Sequence, residues 1–359
     1  MDSFARTNGV SLGRGQHLLS AKASFLADET RELLLQLFHC SNKKVVFTNT
    51  ATEALNIILK GLHFPNEANI YISPFEHNAV TRTLHYLLKN NDFNIIELAA
   101  DKNTLILDTD KIKLQFEKNQ PFAVIISHVS NVTGSVAPIE QIFTFAKKYS
   151  AVTIADMCQS AGLIDTDISS SIYDYVVFAG HKTLYGPLGI SGFISSFPRE
   201  LEPIIIGGTG IESANQSMPD EIPIKYEAGS HNTTAIAGLN ASIKWIQNIG
   251  IESIYHQEQK NYNALREILD KYDNIHYFKP LEHSGVVSCL FDGYSSDEIG
   301  QVLSQNNIAV RTGLHCAPYA HKFIGTFPAG TVRFSVGYFN NEMDFINLDN
   351  VLKYIYENS

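Results

Sequence analysis

Between residues 44 and 195, short runs of β-branched and apolar residues alternate with stretches whose apolar positions recur at helical spacing. KVVFT (44–48) precedes TEALNIILKGL, ANIYIS (68–73) precedes EHNAVTRTLHYLLK, and PFAVIISH (121–128) precedes PIEQIFTFAKKY. AVTIAD (151–156), DYVVFAG (174–180) and ISGFISS (190–196) continue the series. Near-continuous apolar strands separated by amphipathic helices predict an α/β domain with a mainly parallel sheet covered on both faces. Ligands of such sheets bind beyond the carboxyl ends of the strands.

Two long helical patterns come next, near 232–248 and 251–272, and then the rhythm changes. NIHYFKP, SGVVSCLFDG, IAVRTG and TVRFSVG read as strands, interrupted by SSDEIGQVLSQN and closed by NEMDFINLDNVLKYIYE. This predicts a smaller α+β domain over 251–359 behind a large domain over 1–250. No internal repeat or low-complexity segment interrupts either.

Composition narrows the function classes. The 359 residues are 44% hydrophobic and 11% aromatic but only 18% charged, enough for a substantial dry core. A net charge of −10 without a basic run argues against a nucleic-acid phosphate backbone as partner. No apolar run reaches membrane-spanning length and the first residues lack a signal-peptide core, so a cytoplasmic protein is expected. Cys40, Cys158, Cys289 and Cys316 lie far apart with no CxxC pair, which argues against a disulfide framework or structural zinc.

The candidate chemistry sits at strand ends. AVTIAD ends in Asp156 with Gln159 just beyond, and VVFAGHK ends in His181-Lys182 followed by Gly186-Pro187. A strand-end Asp alone is more often a cap, and a loop Lys is usually only solvated. Together they suit pyridoxal phosphate: the lysine bonds the aldehyde, and the carboxylate keeps the ring nitrogen protonated so that the ring draws off electrons. FTNTATEALN places Thr50 and Glu53 as a capping box and leaves the Ala51 and Thr52 N–H groups as an anion site at a helix N-terminus. His77 could stack on a flat ring, and Asn131 could bond a phenolic oxygen or simply hold a turn. Cys316 lies in a polar loop beside His315 and not far from Arg311, a setting that favours a thiolate. Arg333 could fork a carboxylate or form a surface ion pair. The other three cysteines read as structural.

These residues resemble the class V aminotransferase-fold enzymes, and within them the cysteine desulfurase and selenocysteine lyase family. The resemblance runs from about Gly13 onward and rests on T-x-T-E-A-L-N, S-P-x-E-H-N, H-V-S-N-x-T-G, A-D-x-x-Q-S-A-G, G-H-K-x-L-Y-G-P, E-A-G-S-x-N and R-T-G-x-H-C-A. It implies the PLP-dependent transferase fold (fold type I), pyridoxal 5'-phosphate as cofactor, and a homodimer. Lys182 would hold the cofactor and move a proton, and Asp156 would pair with the ring nitrogen. Gln159 and Asn131 would bond the ring oxygen, and His77 would stack on the ring and assist proton transfer. Thr52, His181 and a neighbouring subunit's Ser230 would hold the phosphate. Arg333 would bind the substrate carboxylate, and Cys316 would take sulfur from L-cysteine, leaving alanine and a persulfide for a separate sulfur-acceptor protein.

Two departures accompany the resemblance. Ala179 stands where relatives often carry Ser, removing one phosphate hydroxyl. Relatives begin with a short strand and an Asn-Ala-Ala-Thr-like segment, whereas MDSFARTNGVSLGRGQH resembles the stretch after that segment, so a shortened N-terminus is expected. The alternative enzyme readings are a selenocysteine lyase or another class V reaction. Outside catalysis, the alternative is an impaired sulfur-relay protein that binds a partner.

Overall fold

The structure, a computed structural model, describes residues 1–13, 17–212 and 214–358. Helices α1 (Asp2–Asn8) and α2 (Leu18–Leu37) lead into β1 (Lys44–Thr48) and α3 (Ala51–Gly61). Then come β2 (Ala68–Ile72), α4 (Asn78–Leu87), β3 (Phe93–Glu97), α5 (Thr109–Lys118), β4 (Pro121–Ser127) and α6 (Ile139–Lys147). Three strands succeed them with no long helix between, β5 (Val152–Asp156), β6 (Tyr175–Ala179) and β7 (Ser191–Ser195).

These strands form one seven-stranded sheet in the order β1-β7-β6-β5-β4-β2-β3. From β6 to β3 every pairing is parallel. β7 runs against both β1 and β6, so β1 points the same way as the parallel strands. All carboxyl ends except that of β7 therefore open on one edge, as the sequence pattern predicts. The sheet is buried on both faces, which is why its strands read as unbroken apolar runs. On β6, Val176 and Phe178 pack with α2, α5, α6 and α7 (Thr233–Ile249), while Tyr175 and Val177 pack with α3 and α4.

Gly250, with φ at +90°, ends α7 and starts α8 (Ile251–Leu269), a turn that a side chain would strain. Beyond it lie β8 (Ile275–Tyr277), β9 (Val286–Phe291), α9 (Ser296–Gln305), β10 (Arg311–Gly313), α10 (Pro318–Ile324), β11 (Thr331–Ser335) and α11 (Glu342–Glu357). The second sheet, β10-β11-β9-β8, is wholly antiparallel, and α8, α9 and α11 share its apolar core. Among the described residues no helix is long and apolar enough to cross a membrane, and no cluster of three or more His, Cys, Asp or Glu could hold a metal.

Candidate active site

Parallel register aligns the strand exits. Ser127 at the end of β4 pairs with Asp156 at the end of β5, and Asp156 pairs with Val177 on β6. Asp156 is buried, and one of its oxygens accepts the Cys158 N–H at 2.9 Å. Three residues past β6, Lys182 makes no side-chain hydrogen bond or ion pair among the described residues. His77 leaves β2 and caps α4, its Nδ1 accepting the Ala79 N–H at 3.0 Å, so that Nε2 carries the proton in the neutral ring. Burial pushes the His77 imidazole below its ordinary value. Asp156 acts in the opposite direction, and Lys182, Arg311 and Arg82 depress it further. Those groups thus share one electrostatic neighbourhood.

The loop after β10 is drawn onto the strand ends by its own backbone. The Asn131 amide donates to the His315 carbonyl at 2.7 Å, and the Asn78 N–H donates to the Cys316 carbonyl at 2.7 Å. His315 and Cys316 both take positive φ, +47° and +59°, a sharp turn held by those two anchors. Behind the loop the strands approach so closely that a Cβ on Gly330 would lie 2.3 Å from Gly313. Arg311 Nη2 reaches Cys316 Sγ at 3.0 Å.

Hydrogen-bond direction fixes the His315 tautomer. Ser288 Oγ donates to the Val132 carbonyl, and Thr331 Oγ1 donates its only proton to Ser288 Oγ. His315 Nε2, 2.9 Å from Thr331 Oγ1, must therefore be the donor. Burial, followed by the charge of Arg333, holds this imidazole neutral, down to about 3. Arg333 donates from Nη1 to the Asn131 carbonyl at 2.9 Å and keeps a buried Nε without a partner. Burial first, then the nearby Arg311, lowers its guanidinium to about 10.

At the β1 edge, Thr50 caps α3 as predicted, its hydroxyl accepting the Glu53 N–H. Glu53 does not close the box on Thr50; its Oε2 reaches back to the backbone and side-chain N–H groups of Asn49. Among the described residues the N–H groups of Ala51 and Thr52 have no hydrogen-bond partner, and Thr52 is exposed. His181 is exposed beside Lys182, and half-buried Gln159 makes no side-chain hydrogen bond among the described residues. Ser230 stands apart from this assembly. It lines a separate cavity of about 270 Å³ with Arg31, Glu227, His231 and Leu12.

Two groups escaped the reading of the sequence. Glu76, fully buried, accepts from Ser73 Oγ at 2.5 Å and from the Ser127 N–H at 2.6 Å, clamping the exits of β2 and β4. Its position immediately before His77, an acid in an otherwise apolar strand exit, was the available signal. Cys158, read as merely structural, touches the site. Burial first, and the Asp156 carboxylate as charge and hydrogen-bond acceptor, push its thiol far up.

An unpaired amine, a buried carboxylate, a capped imidazole and an open helix N-terminus on one edge fit a flat anionic group bearing an aldehyde. Arg333, on β11, and the loop that carries Cys316 are both tied to this edge through Asn131, whose carbonyl accepts from Arg333 and whose amide donates to His315.

Comparison with known proteins agrees with that donor set. A family model described as Aminotransferase class-V matches residues 1–348. A probable cysteine desulfurase of Pyrococcus abyssi is 30% identical over 352 residues, covering 95% of this chain and 86% of that protein. One from Methanothermobacter thermautotrophicus is 28% identical, covering 99% and 90% respectively. Among solved structures, the apo cysteine desulfurase from Thermococcus onnurineus NA1 superposes with a TM-score of 0.92 at 27% identity, covering all of this chain and 90% of the other.

Proposed function

The chain belongs to the aminotransferase class-V family, and from that membership we propose that it is a cysteine desulfurase using pyridoxal 5'-phosphate. Enzymes of this family depend on that cofactor. When bound, it supplies an electron sink for charge developing at the substrate's Cα. Lys182 would hold its aldehyde carbon and, having no carboxylate partner, is free to move a proton at the substrate's Cα. The buried Asp156 side chain would face the ring nitrogen, and His77 would cover the ring while its Nε2–H points away from the helix cap. The Ala51 and Thr52 N–H groups, with His181, would bind the phosphate at the α3 N-terminus. Asn131 spends one amide N–H on the Cys316 loop and keeps the other for a ring oxygen, beside Gln159.

The substrate we assign is L-cysteine. The unpartnered Arg333 Nε can receive its carboxylate, and the Cys316 thiol receives its sulfur. The overall step balances: L-cysteine and the Cys316 thiol yield L-alanine and a Cys316 persulfide. One observation carries the assignment. The cysteine is not merely present; two backbone anchors, from Asn78 and Asn131, fix its loop over the edge that holds Lys182 and Asp156. A homodimer accounts for Ser230, which lies in a cavity away from its own Lys182 and would serve a neighbour's phosphate site.

The test is direct. Purified holoenzyme given L-cysteine and a reducing thiol should release alanine and sulfide in equal amounts, and Cys316→Ala should lose sulfide release while retaining the visible absorbance of bound cofactor. Full activity in Cys316→Ala would overturn the assignment.

A further inference from the structure

The loop of Cys316 adjoins a face built by α4 and α10. The Asn78 N–H bonded to the Cys316 carbonyl is the first residue of α4, and α10 begins two residues after Cys316. The two helices are tied together by His85 Nε2 and Tyr319 Oη at 2.8 Å. Along the outer side of α4, Arg82, His85 and Tyr86 are exposed at helical spacing, and Lys89, in the turn just after the helix, is exposed beside them.

The lysines of this face are ordered on aromatic rings. Lys60 and Lys89 sit 5.1 and 5.6 Å from the Tyr86 ring, and Lys322 sits 5.5 Å from Tyr319 and 5.4 Å from Phe327. Tyr86 and Phe327 are themselves about half exposed, at 54% and 47%. No carboxylate forms an ion pair with Lys60, Arg82, Lys89 or Lys322 among the described residues. Glu97 at the border feels the charge of Lys322, second to its own burial. In a chain of net charge −10, such a concentration of unpaired cations and exposed rings runs against the average surface.

We propose that this α4–α10 face is the docking surface for an acidic sulfur-acceptor protein whose reactive cysteine collects the sulfur from Cys316. The proposal rests on the desulfurase reading above. Aromatic anchors within a cationic rim are the composition of a recognition surface, and charge complementarity selects an acidic partner. Arg82, one turn along α4 from its His77 cap, adds its charge to those that depress the His77 imidazole. In the transfer, the acceptor's thiolate attacks the outer sulfur of the Cys316 persulfide. The new acceptor S–S bond forms as the Cys316 Sγ–S bond breaks, the electron pair returns to Cys316 as thiolate, and the acceptor's proton passes to solvent. No oxidant or reductant is consumed.

Holoenzyme loaded with persulfide from L-cysteine is discharged by two short peptides, each with one cysteine, set among glutamates in one and among lysines in the other. At low ionic strength the glutamate peptide should discharge it about tenfold faster, an advantage that added salt erases. The double variant Lys89→Glu with Lys322→Glu should remove that preference and leave alanine production with a small reducing thiol unchanged. Equal rates for the two peptides, or a preference that survives the charge reversal, would overturn the proposal. A change of oligomeric state in the double variant would also overturn it, because a second copy of this chain would then cover the face. Absence of alanine with the small thiol would instead remove the desulfurase reading itself.

Discussion

The side-chain amide of Asn131 is bonded to the carbonyl of His315 at 2.7 Å, joining the exit of β4 to the loop that carries Cys316. That single contact spans the two sheets, and the positive φ at His315 and Cys316 is held partly by it. Asn131→Ala should therefore loosen the nucleophile loop and not the core. Amide hydrogen exchange across 313–318 should accelerate, and sulfur transfer should fall about tenfold, the rate equivalent of one lost hydrogen bond. Unchanged exchange in that segment would show that the Asn78 contact alone suffices.

Arg31 and Glu227 make a second long-range tie. The Arg31 Nη2 donates to a buried Glu227 oxygen at 2.8 Å, and the other oxygen accepts the Phe47 N–H at 2.7 Å. Removing the carboxylate leaves the Arg31 guanidinium with only its second partner, the exposed Asp28 at 2.8 Å, and orphans the buried Phe47 N–H. Glu227→Ala should cost about 2–3 kcal/mol in denaturant unfolding. The double variant Arg31→Met with Glu227→Met should recover part of that loss, and a double variant as unstable as the single one would contradict this account.

Much of this architecture was legible because strands buried on both faces announce themselves. Ile154-Ala155 on β5 and Val176 to Phe178 on β6 have no polar alternation to confuse them, and the residues just past them, Asp156 and Lys182, stand out against the apolar background. β3 was not legible. FNIIE lies at the sheet edge, only Phe93 is fully buried, and its polar ends resemble a loop. Helix α2 escaped for a related reason: its buried side is built partly from Ser20, Ala23, Ala27 and Thr30, residues too small or polar to draw an apolar stripe. Site partners such as Asn131 and His315, 184 residues apart, meet only through the arrangement of the two sheets, which no local pattern encodes.

Lys182 and Asp156 make separable contributions to cofactor binding. Lys182→Ala removes the amine but leaves the Asp156 carboxylate and the α3 N-terminus. It should still bind pyridoxal phosphate reversibly, lost on gel filtration, and alanine production should cease. Asp156→Ala should retain the covalently held cofactor while its absorbance shifts and turnover collapses, because the buried carboxylate opposite the ring nitrogen is gone. Visible spectra before and after gel filtration distinguish the two.

Glu76 offers a pH test whose sign can be worked out. Burial raises its carboxyl to about 8, the Asp156 charge adds to that, and hydrogen bonds from Ser73 and Ser127 oppose it. In the unfolded chain the same group titrates near about 4.3. Between those values the folded protein holds a proton that the unfolded chain releases, so this group's contribution to stability is lost as pH rises from about 4.3 toward 8. Glu76→Gln keeps an acceptor for the Ser127 N–H and removes the titration. Its stability relative to the native protein should therefore improve steadily from pH 5 to pH 8, by about 1.4 kcal/mol per pH unit at most. Parallel urea unfolding curves for the two proteins across that range, with a constant difference, would place the carboxylate in its ionised form throughout.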